Sequence, residues 1–163
     1  MRFTFEVMEL AKEVVATATV KGLTVGTAES CTGGLIGGAL TAVPGSSAAY
    51  AGGVVSYSNA IKTELLGVPK GLFTGYGAVS EEVARAMAEG ALEKLGVDVA
   101  VSVTGIAGPG GGSKAKPVGT VCIAVAVADE TLVWRMGYGD VGREEVRRLT
   151  VRDALERVLR VME

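Results

Sequence analysis

Histidine is absent from this 163-residue chain. Ser-His-Asp and Cys-His catalysis are therefore excluded, as are the common zinc sites, unless a partner chain supplies the imidazole. Cysteine is scarce. Cys31 and Cys122 fit no metal-ligand spacing, and two thiols do not make a disulfide framework. A reducing, cytoplasmic setting is expected. No apolar run reaches the roughly 18–20 residues of a membrane span. The N-terminus, Met1-Arg2-Phe3-Thr4-Phe5-Glu6, lacks the charged-then-apolar layout of a secretory signal. No membrane partner is expected. Nor is there an excess of positive charge: at a formal net charge of −2 no basic field exists to hold a phosphate backbone, so no nucleic-acid partner is expected.

Glycine, by contrast, is abundant. The 24 glycines are about twice the usual share, and most cluster in short stretches, which indicates tight turns and close backbone approach rather than disorder. The length suits one domain, taken as residues 1–163. Along it, Val7, Ala11, Val14, Val15 and Ala18 mark one face of a helix from Phe5 to Lys21. A buried strand from Leu23 to Ala28 follows, then a glycine-rich helix from Cys31 to Val43, stopped by Pro44-Gly45. Tyr50–Tyr57 reads as a strand and Ala60–Leu66 as a short helix, with Thr74-Gly75-Tyr76-Gly77 a loop. Ser80 caps a helix running to the Gly96 stop. Strands at 98–104 and 118–128 flank a glycine-rich loop, Thr131–Met136 pairs back as a hairpin, and a helix from Gly142 to Met162 closes the chain. This order predicts an α/β fold, a three-layer α/β/α sandwich with a mixed, mostly parallel sheet.

Thr27-Ala28-Glu29-Ser30-Cys31-Thr32-Gly33-Gly34 organises the rest, because it turns a strand directly into a helix. Ser30 would stand at the helix start, as cap or as nucleophile, with the Cys31–Gly34 amides facing an anion or oxyanion. With histidine missing, the available bases are Lys, Tyr, Asp and Glu. Lys62 lies just after a strand end, with Tyr57 in the same loop. A buried lysine sheds its proton more readily, so a Ser30–Lys62 pair is chemically reasonable; equally, Ser30 caps its helix and Lys62 is solvated. Cys31 is the rival nucleophile, since a helix N-terminus lowers a thiol pKa, against the commoner role of a small buried hydrophobe. The loop Gly105–Gly112 matches neither a P-loop nor a dinucleotide fingerprint, and either cradles an anion or flat ring or is a plain turn. Arg143 and Arg147, one helical turn apart, grip a phosphate or are surface charges.

Five stretches in order carry a resemblance: Thr27–Gly34, Gly53–Asn59 with Lys62, Gly77-Ala78-Val79-Ser80, Thr104–Gly111 and Lys116–Val121. They strongly resemble the CinA C-terminal domain family, the nicotinamide-nucleotide amidases, from about Glu6 to the C-terminus. The chain departs from the family in Tyr76, where histidine is frequent, in Ala60, where an acidic residue is frequent, and in a longer spacing before Arg143. Many members also carry an N-terminal molybdopterin-binding-like domain, and this chain resembles the standalone form.

The resemblance implies hydrolysis of the carboxamide of nicotinamide mononucleotide to nicotinate mononucleotide and ammonia. It makes Ser30 the nucleophile, Lys62 its base and Tyr57 an assistant. Cys31, Thr32, Gly33, Gly34, Thr104, Gly105, Gly108, Gly110, Gly111 and Arg143 would bind the nucleotide, with no metal and no cofactor. A non-catalytic nucleotide-binding regulatory domain is the alternative, and a competence or DNA-damage accessory a third reading. A homo-oligomer is permitted rather than demanded.

Overall fold

The computed structural model describes residues 2–163. In chain order the elements are α1 (Phe5–Lys21), β1 (Val25–Glu29), α2 (Leu35–Thr41), a 3-10 turn (Ser46–Ala48), β2 (Tyr50–Val55), α3 (Asn59–Leu66), α4 (Lys70–Tyr76), α5 (Glu81–Leu95), β3 (Val99–Gly105), β4 (Thr120–Val127), β5 (Glu130–Gly137) and α6 (Arg143–Met162). One five-stranded sheet has the order β2-β1-β3-β4-β5. β1 pairs parallel with β2 and β3, whereas β4 is antiparallel to both β3 and β5. Four strands thus run one way and β4 alone opposes them. This is the expected α/β architecture with a mixed, mostly parallel sheet.

Period-two alternation decides what each face of the sheet can bury. On β3 and β4, Val99, Val101, Val103, Val121, Ile123 and Val125 join the cluster formed by α1, α2 and α6. Between them stand small residues: Ala100 packs with Val83, Met87 and Ala91 of α5, and Cys122, Ala124 and Ala126 with its Ala84 and Ala88. Small side chains on both partners let α5 lie close to the sheet. Ser102 Oγ donates to the Ala84 carbonyl at 2.6 Å across that contact. On its other side α5 meets the end of α3, where a Cβ on Gly90 would stand 1.9 Å from the Leu66 carbonyl oxygen.

Side-chain caps start α1, α3 and α5: Thr4, Ser58 and Ser80 accept from the amides of Val7, Ile61 and Val83, each at 3.2 Å. Residues 70–76, expected to end in a loop, form α4 instead. Pro69 supplies the extended residue before it, Leu72 and Phe73 pack on the α5 cluster, and Gly71 and Gly75 face open space. Burial of two large apolar groups outweighs the roughly 1 kcal/mol that each glycine costs a helix.

The carboxyl ends of the parallel strands β1, β2 and β3 release the Ser30–Gly34 turn, the Tyr57 loop leading to Lys62 and the Gly105–Gly112 loop, so they emerge together, as open α/β sheets require of a binding crevice. α3, which carries Lys62, is positioned there by its contact with α5.

Gly90→Ala tests that link. Alanine favours a helix by about 1 kcal/mol, but here its methyl collides with backbone. The variant should lose about 1–3 kcal/mol of stability in urea denaturation; a gain would mean α3 is free to shift.

Candidate active site

The turn between β1 and α2 differs from expectation in a way that bears on the chemistry. α2 begins at Leu35, not Cys31, and Gly34 rather than Ser30 occupies the position before it, at φ 103°. Gly33 is also left-handed, at φ 58°. Two consecutive positive φ angles turn the chain sharply, and side chains would be strained there.

The capping group is Glu29, the last residue of β1 and only 2% exposed. Its Oε1 accepts from the Thr32 hydroxyl at 2.5 Å and from the Gly34 and Ile36 amides at 3.2 and 2.9 Å. Its Oε2 accepts from the Gly37 amide at 3.0 Å. A carboxylate at a helix N-terminus meets both the orphan N–H groups and the positive end of the dipole. A Cβ on Gly37 would lie 2.5 Å from the Tyr50 hydroxyl, so that tyrosine would have to shift to admit a side chain there.

Two of the four amides expected to face an oxyanion are therefore already engaged in this turn. The Gly34 amide is committed to Glu29 and the Gly33 amide to the Ser30 carbonyl at 3.1 Å. Gly33, Gly34 and Thr32 stand outside the pocket lining. Among the described residues, the Cys31 and Thr32 amides are the ones in this turn that bond neither a backbone carbonyl nor another residue's side chain.

Relieved of capping, the Ser30 hydroxyl meets Lys62. Lys62 Nζ lies 3.0 Å from Ser30 Oγ and donates to the Tyr57 carbonyl at 3.0 Å. The lysine is 1% exposed. It reaches the serine because α3 starts beside the end of β2, capped by Ser58. Burial lowers the Lys62 pKa, with only the neighbouring Cys31 pushing the other way. Burial also pushes the Cys31 thiol up, to about 12. The Cys31 sulfur packs against Gly105, whose Cβ would be 3.2 Å from it, and this burial favours the thiol over the thiolate a nucleophile needs.

Ser30, Cys31, Tyr57, Lys62, Thr104, Gly105, Gly108, Gly110 and Arg143 line one cavity of about 280 Å³; Asn59, Ala78, Val79, Ile106 and Ala107, which had not been singled out for the site, complete it. Thr104 Oγ1 donates to the Ala78 carbonyl at 2.9 Å and so ties the loop before α5 to the end of β3. Gly111 lies outside the lining. Tyr57 divides its functions: its carbonyl holds Lys62, while its ring is 63% exposed and its hydroxyl accepts from Arg143 at 3.2 Å. Arg143 also donates to the Gly108 carbonyl at 2.8 Å, closing one wall with a cation. Arg147 faces the other way. Its guanidinium donates to the Cys31 and Thr32 carbonyls at 3.0 and 3.4 Å and braces the turn.

Sequence reasoning missed Glu29 as the cap. The available signal was a carboxylate at the end of an otherwise uncharged strand, just before a glycine pair. Among the described residues no group of three or more His, Cys, Asp or Glu could hold a metal ion, and no helix is long and apolar enough to cross a membrane.

Residues 7–162 match the profile of the CinA C-terminal domain. A CinA-like protein of Mycolicibacterium gilvum is 54% identical over 145 residues, which are 89% of this chain and 34% of that protein. One from Parasynechococcus marenigrum is 53% identical over 152 residues, 93% of this chain and 36% of that protein. The chain thus spans about a third of the length of these curated relatives. Among solved structures, the competence/damage inducible protein CihA from Agrobacterium tumefaciens superposes with a TM-score of 0.98 at 48% identity, covering 100% of this chain and 99% of that one. A CinA superfamily protein from Escherichia coli gives 0.92 at 32% identity, over 99% and 94%.

Glu29→Gln removes the charge from the cap and sets an amide N–H₂ against a backbone N–H. The expected cost is about 2–3 kcal/mol, read by urea denaturation. A loss below 0.5 kcal/mol, the usual limit for an inconsequential surface change, would mean that the carboxylate does not hold the turn.

Proposed function

The chain belongs to the CinA C-terminal domain family, and we propose that it is an amidohydrolase converting nicotinamide mononucleotide to nicotinate mononucleotide and ammonia. The observation that carries the reading is the 3.0 Å approach of Ser30 Oγ to a buried lysine amine at the floor of a small cavity. A serine next to a desolvated lysine is an activated nucleophile that needs no histidine.

Neutral Lys62 can donate to the Tyr57 carbonyl while accepting from Ser30. The serine oxygen adds to the carboxamide carbon as its proton passes to Nζ. The carbonyl oxygen becomes an oxyanion, with the Cys31 amide as the uncommitted donor of the turn that belongs to the cavity lining. Collapse breaks the C–N bond, Lys62 returns the proton, and ammonia leaves. Water then adds to the acyl-serine with Lys62 again as base, and the carboxylate product and free serine result.

The cavity, at about 280 Å³, falls just below the small-molecule range of about 300–1,000 Å³. It suits a flat ring such as the pyridine at the floor. The nucleotide's phosphate is assigned to Arg143 at the wall, where remote binding helps place the amide, so free nicotinamide should be a poor substrate. Arg147 is not part of this reading, since its guanidinium braces the turn.

Ammonia release from the mononucleotide tests the proposal. Ser30→Ala should lower turnover at least about 10³-fold while nucleotide binding persists. Binding without ammonia in the wild type would instead support the regulatory reading. Activity should rise with pH through the lowered pKa of Lys62, an ascending limb below the roughly 10.4 of free lysine, and fall as the amine protonates on the acid side.

The sign for stability runs the same way. Between the lowered folded pKa and the unfolded value, the unfolded chain binds more protons, so this group's contribution to stability grows as pH rises through that window. Lys62→Met should therefore abolish turnover without lowering the melting temperature at pH 7. A clear fall in melting temperature would show that the amine is needed for folding.

A further inference from the structure

Ser56 is fully buried, and its hydroxyl has no hydrogen-bond partner among the described residues. An unpaired buried hydroxyl is unfavourable and calls for a reason. Its place in the sheet supplies one. The Ser56 amide donates to the Glu29 carbonyl at 2.8 Å, and the Ser30 amide to the Val103 carbonyl at 3.1 Å. Both parallel ladders therefore continue one residue past the regular strands. By the same register, Ser56, Ser30 and Thr104 stand level on adjacent strands, about 4.8 Å apart.

Alternation turns all three toward α3 and α5. Val54 and Ala28, two residues earlier, pack with Leu66 and Met87 on that side. Thr104 spends its hydroxyl on the Ala78 carbonyl, and Lys62 enters from the same side to reach Ser30. Ser56 is the member of the row whose oxygen is idle.

Lys62 has the complementary deficit. An ammonium carries three donors, but Nζ has two acceptors here, Ser30 Oγ and the Tyr57 carbonyl. We propose that Ser56 is a positioning residue whose hydroxyl accepts the third N–H of Lys62 while that amine holds the proton taken from Ser30. This rests on the Ser-Lys reading above. The proton moves from Ser30 Oγ to Nζ as the Oγ–C bond forms, and Ser56 gives up no atom; it turns its lone pair toward the new charge. Because the bond is absent at rest, it stabilises the charged state selectively, which is what raises turnover rather than affinity.

The titratable groups that face Lys62 are few. They are the Cys31 thiol from the turn after β1, Tyr57 from the loop after β2, and Arg143 of α6 across the cavity; the lining includes no carboxylate. The Ala78–Val79 loop before α5 brings none. No anion is therefore available to do what the Ser56 hydroxyl would do.

Ser56→Ala of the full chain tests this in two ways. NMR of the Lys62 side chain, with no substrate present, reads its titration directly. Loss of an acceptor should move the midpoint to lower pH, and an unmoved midpoint overturns the proposal. Ammonia release should show kcat reduced roughly tenfold to a hundredfold, the worth of one hydrogen bond to a charged group. KM should stay within about twofold, and the ascending limb of the pH profile should move to lower pH. An unchanged kcat overturns the proposal even if the midpoint moves.

If the wild type hydrolyses no amide, the amidase reading fails by itself, and the NMR titration still decides whether Ser56 holds Lys62. The variant should melt at or above the wild-type temperature, since it removes an unpaired polar group. A lower melting temperature with an unmoved midpoint makes Ser56 a packing residue and overturns the proposal.

Discussion

A buried carboxylate is the constraint on which this site depends. Glu29 ends the central strand of the parallel half of the sheet and gathers four donors from the next eight residues. Three of these are helix-start amides that would otherwise be orphaned. Had Ser30 capped α2, its oxygen would be committed to a backbone amide. Because Glu29 caps instead, the serine hydroxyl projects from a rigid turn with nothing to bond but a lysine. Arg147 holds the same turn from the other side through the Cys31 and Thr32 carbonyls. The turn is thus gripped by an anion on its amides and a cation on its carbonyls.

Stability and chemistry pull in opposite directions at Lys62. An amine that water barely reaches is an expensive tenant of a small domain, and its neighbours offer hydroxyl and carbonyl oxygens rather than a countercharge. That arrangement leaves the desolvation of the ammonium largely unopposed, and it keeps the neutral form accessible. α3, which carries Lys62, is short, capped by Ser58, and pressed against α5 at Gly90, while the amine itself is held by Ser30 Oγ and the Tyr57 carbonyl. The helix–helix contact and the proposed base are in this sense one feature.

Much of the architecture was legible in the sequence. Apolar runs at 98–104 and 118–128 marked strands, and the structure adds that one face of them is bulky and the other thin. Ser80 and Gly96 marked a helix at both ends, and α3, expected over Ala60–Leu66, runs from Asn59 to Leu66 behind a Ser58 cap. Two local readings went the other way. Thr74–Gly77 looked like a loop because glycine is a poor helix former, and the partial burial of Leu72 and Phe73 against the α5 cluster overrode that propensity. Cys31–Gly34 looked helical because the run into Leu35 is continuous, but the pull of Glu29 on amides further along defers the first turn.

What the sequence determined by itself is a short list of chemistry. With no histidine, a serine at a strand end and a lysine after the next strand made one candidate pair, beside the readings in which Ser30 caps its helix, Lys62 is solvated or Cys31 is the nucleophile. Which oxygen caps the helix, which arginine faces the cavity and which hydroxyl is left idle were decided only by tertiary structure. Each depends on distances between residues far apart in the chain: Lys62 and Ser30 are brought together by strand register, Arg143 and Gly108 by the docking of α6 over the loop after β3. Side-chain chemistry is local to a residue, but partnership is a property of the fold.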